Sequence, residues 1–430
     1  MFSPSAQKMH RLRTALRDFS RLPSHARLLL FSQLCFNIGF YMVLPYLATY
    51  LRDHLGLAGA TIGLILGLRS FSQQGLFVVG GMLADRYGPR LVILVGVLIR
   101  IAGFLMLGLS SQLAGVIAGV VMIGFAAALF SPAVESSIAR VAGDVERETG
   151  LPRTQVFAMG TVSLQLGATV GPLIGALLLV NYRLSCLVAA GVFACMGLAY
   201  LTMFPNITPL HKNEPILKGW REILGNRVFL LFALANSTYL VAYNQLYLAL
   251  PVELKRSLGN DRMLGILMAI SAFMVITGQV WLTAWARQRL GGRRAIPLGF
   301  SIMAAGFAIL AATSMVPPLP QPWAIVPSIA MIVLFTLGQM LASPFTADLV
   351  ARLANERRLG AYYGLLNSFG GLGVLVGSTL IGSLLQESTH GPDASRPWLV
   401  AVFLLAFSAM VIAILMVHRI HLGQRQAVTP

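Results

Sequence analysis

Few residues in this chain could do chemistry, and their placement favours binding and charge movement over covalent catalysis. No Gly-x-Ser-x-Gly, His-Glu-x-x-His or Gly-x4-Gly-Lys pattern occurs, and Gly371-Leu372-Gly373 misses the dinucleotide-binding pattern. Cys35, Cys186 and Cys195 lack metal or redox spacing and read as small packing residues. Arg69 and Arg100 each lie about ten residues, about 15 Å, from the ends of apolar helical runs. At bilayer depth a charge costs about 3 kcal/mol or more and normally faces protein or water. Arg69 shares a helix face with Gln73 and reads as functional, whereas Arg100, on the third run, reads rather as a structural residue. No Asp, Glu or His lies in the middle of any apolar run. Two buried arginines with no deep acid predict an electropositive interior that favours anionic or zwitterionic ligands. Near one boundary stands Gly81-Met82-Leu83-Ala84-Asp85-Arg86-Tyr87-Gly88-Pro89-Arg90. Asp85 is costly there unless Arg86, Arg90 or a neighbouring helix N-terminus pairs it.

The elements that position these residues follow from composition. Of 430 residues, 57% are hydrophobic and 11% charged, against about 45–50% and about 25% in a soluble domain. The mean hydropathy is +0.76. A water-soluble globule, a disordered chain and a disulfide scaffold are excluded. What remains is an all-α polytopic membrane protein. Apolar runs of about 18 residues or more predict twelve transmembrane helices: 28–50, 60–83, 91–109, 113–133, 155–180, 184–204, 228–250, 263–286, 295–314, 323–346, 361–386 and 397–417. With the N-terminus inside, 24 of the 32 Lys and Arg fall in cytoplasmic segments and 6 in outer loops. The formal charge of +17 therefore orients the protein, with both termini cytoplasmic, and no nucleic-acid partner is expected. Lys8, Arg11, Arg13, Arg17, Arg21 and Arg27, with Met9, Leu12, Leu16 and Phe19 at helical spacing, predict a short basic helix on membrane lipid.

The chain also repeats itself. Ser131-Pro132 and Ala139-Arg140-Val141-Ala142 recur as Ser343-Pro344 and Ala351-Arg352-Leu353-Ala354, and Gly88 and Arg90 recur as Gly291 and Arg293. Gln288 stands at the Asp85 position of the second copy. The predicted organisation is a cytoplasmic N-terminal segment 1–27, a six-helix bundle 28–204, a cytoplasmic linker 205–227, a second bundle 228–417 and a cytoplasmic tail 418–430. Pro215, Ile216, Leu217, Trp220, Ile223 and Leu224 make the linker an amphipathic helix. Two pseudo-symmetric six-helix bundles suit a transporter holding substrate near the midplane.

Gly81 to Gly88 resembles the Gly-x-Leu-Ala-Asp-Arg-x-Gly signature of the major facilitator superfamily. Gly167-x3-Gly171-Pro172-x2-Gly175-Ala176 is a stripe for close helix packing with a bend at Pro172. It resembles the motif of the twelve-span drug:proton antiporter family, with Ala176 replacing the last glycine. Gly67-Leu68-Arg69-x-Phe71-x-Gln73-Gln74-Gly75 is similar to the multidrug-resistance transporter branch. Two further departures are Val120, where an arginine often precedes Gly124, and Pro89, where an arginine commonly follows the loop glycine.

The resemblance implies the major facilitator fold, export through the antiporter motif, and a bacterial inner-membrane location. It implies a cavity lined by spans one, four, seven and ten, here offering Asn37, Tyr41, Asn236, Tyr239 and Tyr243 beside Arg69 and Gln73. Tyr46 and Tyr247 read equally as interface anchors. Glu135 looks like the relatives' carboxylate at the inner end of span four, which would make Asp85, Arg86, Arg90 and Glu135 a cytoplasmic charge latch. The expected function is proton-coupled efflux of drug-like amphiphiles by alternating access, from a monomer using the proton gradient and no cofactor or metal. The alternatives are a dedicated exporter of an acidic metabolite such as a siderophore, an importer, or a membrane sensor without transport.

Overall fold

The computed structural model describes residues 22–53, 76–178, 182–206, 222–259, 263–355, 358–384 and 392–418, with residues 19, 55, 65, 68, 69 and 72–74. The basic helix expected before residue 19, linker positions 215–220, Gly67, Phe71, Gly75 and the tail beyond 418 lie outside the described residues. Among the described residues all regular structure is helical. The helices are α1 (Ser24–Asp53), α2 (Phe77–Tyr87), α3 (Pro89–Leu109), α4 (Leu113–Thr149), α5 (Arg153–Leu177) and α6 (Tyr182–Met203). They continue as α7 (Arg227–Leu248), α8 (Leu264–Arg289), α9 (Gly291–Ser314), α10 (Val326–Leu353), α11 (Leu359–Leu384) and α12 (Pro392–His418).

Ten of these are long and apolar enough to cross a membrane. Of the other two, α2 has eleven described residues. The other, α7, carries Asn236, Ser237, Thr238, Tyr239, Tyr243, Asn244 and Gln245 within 22 residues, which lowers its hydropathy. At 37 residues α4 is about 55 Å long, well beyond a hydrocarbon core of about 30 Å. It closes at Gly150, whose φ of 72° fits a left-handed cap, with the Gly150 N–H donating to Glu146 O.

The chain forms two compact units. One comprises residues 1–223 with 350–368, the other 224–349 with 369–430. The first two to three turns of α11 thus belong with the first unit, a partition the sequence halves alone do not contain.

Two helix pairings recur in both units, the third helix on the sixth and the first on the sixth. In the first, α3 lies against α4 and α6, α1 against α5 and α6, and α2 against α4. In the second, α9 lies against α12, and α7 against α12. Glycines allow the closest approaches: a Cβ on Gly119 would sit 2.8 Å from Gly103 O, and one on Gly338 would sit 2.4 Å from Gly299 O. These are the α3–α4 and α9–α10 contacts of the two copies. The duplicated motifs also match in conformation. Gly88 and Gly291 both take a positive φ, 88° and 65°, at corresponding helix junctions. Pro132 and Pro344 both lie inside their long helices.

A nine-residue helix, Leu250–Leu258, follows α7 and buries an ion pair. Arg256 donates through Nε to Glu253 Oε2 at 2.9 Å and through Nη2 to Oε1, and Ser314 at the end of α9 donates to Oε2 at 3.3 Å. Breaking such a pair strands a buried charge, at about 3–5 kcal/mol. Glu253→Ala should therefore lower the thermal midpoint of the detergent-purified protein markedly, while a Glu253→Ala, Arg256→Met double variant should recover most of the loss.

Candidate functional site

Two regions of the first unit gather the residues with chemistry. The first lies beside the α2–α3 junction. Gly80 and Gly81 remove side chains from α2 so that its backbone meets its neighbours directly. A Cβ on Gly80 would lie 1.9 Å from Ala128 O of α4, and one on Gly81 would lie 2.0 Å from Gly360 O of α11. Gly364, one turn on, would meet Phe77 O at 2.7 Å. This contact puts Asp85 under the start of α11, where backbone N–H groups have no intrahelical partner. The Gly360 N–H donates to Asp85 Oδ1 at 3.1 Å and the Ala361 N–H to Oδ2 at 2.9 Å. A carboxylate on a helix N-terminus gains from both bonds and from the helix dipole. Asp85 lies two residues past the predicted span. Burial pushes its carboxyl up from 3.8 to about 6, while the two backbone bonds and the charges of Arg140 and Arg358 pull the other way.

Glu135 of α4 meets the same helix two turns further on. Asn367 Nδ2 donates to Glu135 Oε2 at 3.0 Å and to Tyr363 O at 3.1 Å. Gly360, Gly364 and Asn367 share one face of α11. Arg358, just before α11, has a φ of 49° and donates through Nε to Glu222 Oε2 at 2.8 Å. The structure thus brings Asp85 and Glu135 to one helix. It places Arg86 elsewhere, over the Tyr87 ring at 5.5 Å. Arg90 donates to Asn206 Oδ1 at 2.7 Å and to Leu201 O.

The second region is the buried arginines. Arg69 is half-buried, donates to Gln73 Oε1 at 3.3 Å, and lies 5.4 Å from the Phe40 ring. Arg100 is only 2% exposed. Its guanidinium is boxed by Phe40, Phe104, Phe130 and Phe193 at 4.8, 5.6, 5.3 and 5.1 Å, from α1, α3, α4 and α6. Nη1 donates to Ile123 O at 3.0 Å, and Nε has no hydrogen-bond partner among the described residues. Each ring is worth about 0.5–2 kcal/mol to a cation, so four rings and a carbonyl offset much of the desolvation cost.

The other expected positions divide between the units. On α1, Asn37 donates back to Gln33 O at 2.7 Å, and Tyr41 packs edge-on to Phe40 at 5.0 Å. The α5 stripe packs on α1: Cβ atoms on Gly167, Gly171 and Gly175 would meet Leu34 O, Ile38 O and Met42 O at 2.5, 2.9 and 2.3 Å. Pro172 O accepts from Tyr46 Oη at 2.7 Å, so that carbonyl has a partner across the α1–α5 contact. In the second unit Asn236 is buried, and Tyr239 and Tyr243 both contact Phe335 of α10 at 6.3 Å, Tyr239 stacked. Tyr243 and Tyr247 share a hydrogen bond of 3.3 Å between their hydroxyls.

Sequence reasoning missed Asn367, the Glu222–Arg358 pair and the phenylalanine box. Asn367 had a signal, being polar inside an apolar run. The four phenylalanines had none, since each is an ordinary apolar residue of a separate helix.

Residues 29–378 match the Major Facilitator Superfamily. An MFS-type transporter of Mycobacterium tuberculosis, itself uncharacterized, is 38% identical over 385 residues, covering 87% of this chain and 88% of that one. The multidrug resistance protein MdtH of Aeromonas salmonicida is 27% identical over 364 residues, 84% of this chain and 88% of that one. MdtH of Salmonella typhimurium is 26% identical over 353 residues, 82% and 83%. The crystal structure of the human organic anion transporter MFSD10 (TETRAN) superposes with a TM-score of 0.68 over 89% of this chain and all of that one, at 16% identity, a likeness of fold. Apolar helices built for a membrane, glycine-mediated α2–α11 packing around Asp85 and a match across most of its length converge: the chain belongs to the Major Facilitator Superfamily, and is a multi-pass membrane transporter of small molecules rather than an enzyme.

Proposed function

We propose that this transporter is a proton-coupled exporter of drug-like amphiphiles with anionic or zwitterionic character, working by alternating access. What carries the reading is the pair of carboxylates Asp85 and Glu135, both tied to the first turns of α11. A carboxylate buried against another helix changes its surroundings, and with them its proton affinity, when the helices separate, which links proton binding to conformation. The names of the MdtH relatives support multidrug efflux, and the likeness of the α5 stripe to the antiporter motif supports export. The cationic Arg69 beside Gln73, with Arg100 behind, supports negatively charged cargo, and MFSD10, an organic anion transporter of the same fold, accords with it. The protein works as a monomer in the bacterial inner membrane with both termini cytoplasmic, in accord with its Lys and Arg distribution.

The test is flux in proteoliposomes under an imposed pH gradient. Wild type should accumulate a lipophilic carboxylate against its gradient and move protons in the opposite sense. Asp85→Asn and Glu135→Gln should each cut this coupled flux at least tenfold. Unchanged coupled flux in both variants would remove the carboxylates from the proton path.

A further inference from the structure

Arg69 and Arg100 are not independent charges. Their guanidinium carbons lie 5.4 and 4.8 Å from the centroid of the same Phe40 ring, so they are within about 10 Å of each other. The two differ in access. Arg69 and Phe40 are half-buried, in the region that also carries Gln73 and Tyr41, whereas Arg100 is enclosed by its four rings. Among the described residues no carboxylate pairs with Arg100; its one hydrogen bond is to a backbone carbonyl, and its Nε is unpartnered. Rings and a carbonyl stabilise a cation without neutralising it, so the field of Arg100 is uncancelled and weakly screened in a low-dielectric interior.

We infer that Arg100 is a positioning residue for substrate charge. Arg69 makes the contact, receiving a carboxylate or sulfonate whose apolar body lies on Phe40, and Arg100 behind the ring sets the potential that makes an anion the preferred occupant. This deepens the proposed function and rests on its substrate class. Caging the second arginine has a physical advantage. An exposed pair would hold the anion through two forks of hydrogen bonds and release it slowly, whereas a field acting through a ring discriminates charge without adding a contact. A charge about 10–12 Å from the bound anion at an effective dielectric of about 20 gives about a tenfold preference.

The experiment uses the full-length protein in detergent and in liposomes, with an alkyl-naphthoate and its matched naphthamide as probes. In equilibrium binding, wild type should favour the carboxylate, Arg100→Met should lose about tenfold of that preference with amide affinity unchanged, and Arg100→Lys should retain most of it. A structural role alone would weaken both probes together. Should Arg100→Met fail to fold, Phe130→Glu carries the same test, because it places a counter-charge where a ring now lies 5.3 Å from the guanidinium. The same carboxylate-to-amide ratio in wild type and whichever of these variants folds overturns the assignment. A ratio that falls as expected in a protein showing no proton-driven flux supports the assignment and sinks the exporter reading instead.

Discussion

Gly81→Val should abolish transport, to below about a tenth of the wild-type rate, and lower the thermal midpoint by several degrees. The position has no room for a side chain. A Cβ there would lie 2.0 Å from Gly360 O and 2.4 Å from Gly360 C, both backbone atoms that no rotamer change can move aside. Valine would force α2 and α11 apart. Overpacking alone costs about 1–3 kcal/mol. The separation would also strip Asp85 of two charge-assisted bonds, each worth about 1.5–3 kcal/mol. The control is Gly191→Val on α6, where a Cβ meets nothing within 4 Å. Comparing flux and thermal unfolding of the two variants tests the contact. Equal behaviour would mean that α2 and α11 do not touch through this glycine in the membrane.

Acidification from about pH 8 to about pH 5 should strengthen the closure of α2 on α11, by roughly tenfold in the ratio of closed to open forms. The sign follows from the carboxyl of Asp85, whose pKa burial raises from 3.8 to about 6 in the closed contact. An opened, hydrated Asp85 titrates near the ordinary 3.8. The closed form therefore binds the proton more tightly, and linkage requires that lowering the pH through about 6 favour it. Arg140 from α4, Arg358 from the start of α11 and the Gly360 and Ala361 N–H groups oppose this shift, and burial outweighs them. Closure would thus take up a proton and opening release it, as proton coupling at this junction needs. Amide hydrogen exchange at Gly360 and Ala361, corrected for the intrinsic pH dependence of exchange, reads the equilibrium directly. Protection should rise from about pH 8 to about pH 5 in wild type and be flat in Asp85→Asn. Protection that falls on acidification reverses the sign and removes Asp85 as the closing proton site.

Much of the architecture is legible in the chain itself, because a bilayer imposes a length and a composition on every crossing helix. Twelve apolar runs, the positive balance of one set of loops and the repeated Ser-Pro and Gly-x-Arg motifs needed no coordinates. The repeats even anticipate conformation: Gly88 and Gly291 both adopt a positive φ, which glycine tolerates and a side chain resists. The family signature around Asp85 is equally local, as every residue in it lies within eight positions.

What the sequence could not determine is which partner each charge would choose. Arg86 and Arg90 are the nearest cations to Asp85 along the chain, yet the carboxylate bonds to amides 275 and 276 residues away, because Gly81 and Gly360 let two backbones meet. The same holds for Glu135 with Asn367, and for Arg100, whose box draws rings from four helices. Hydropathy and spacing report on one segment and the solvent around it. Pairing across helices depends on close packing, which only the folded chain decides.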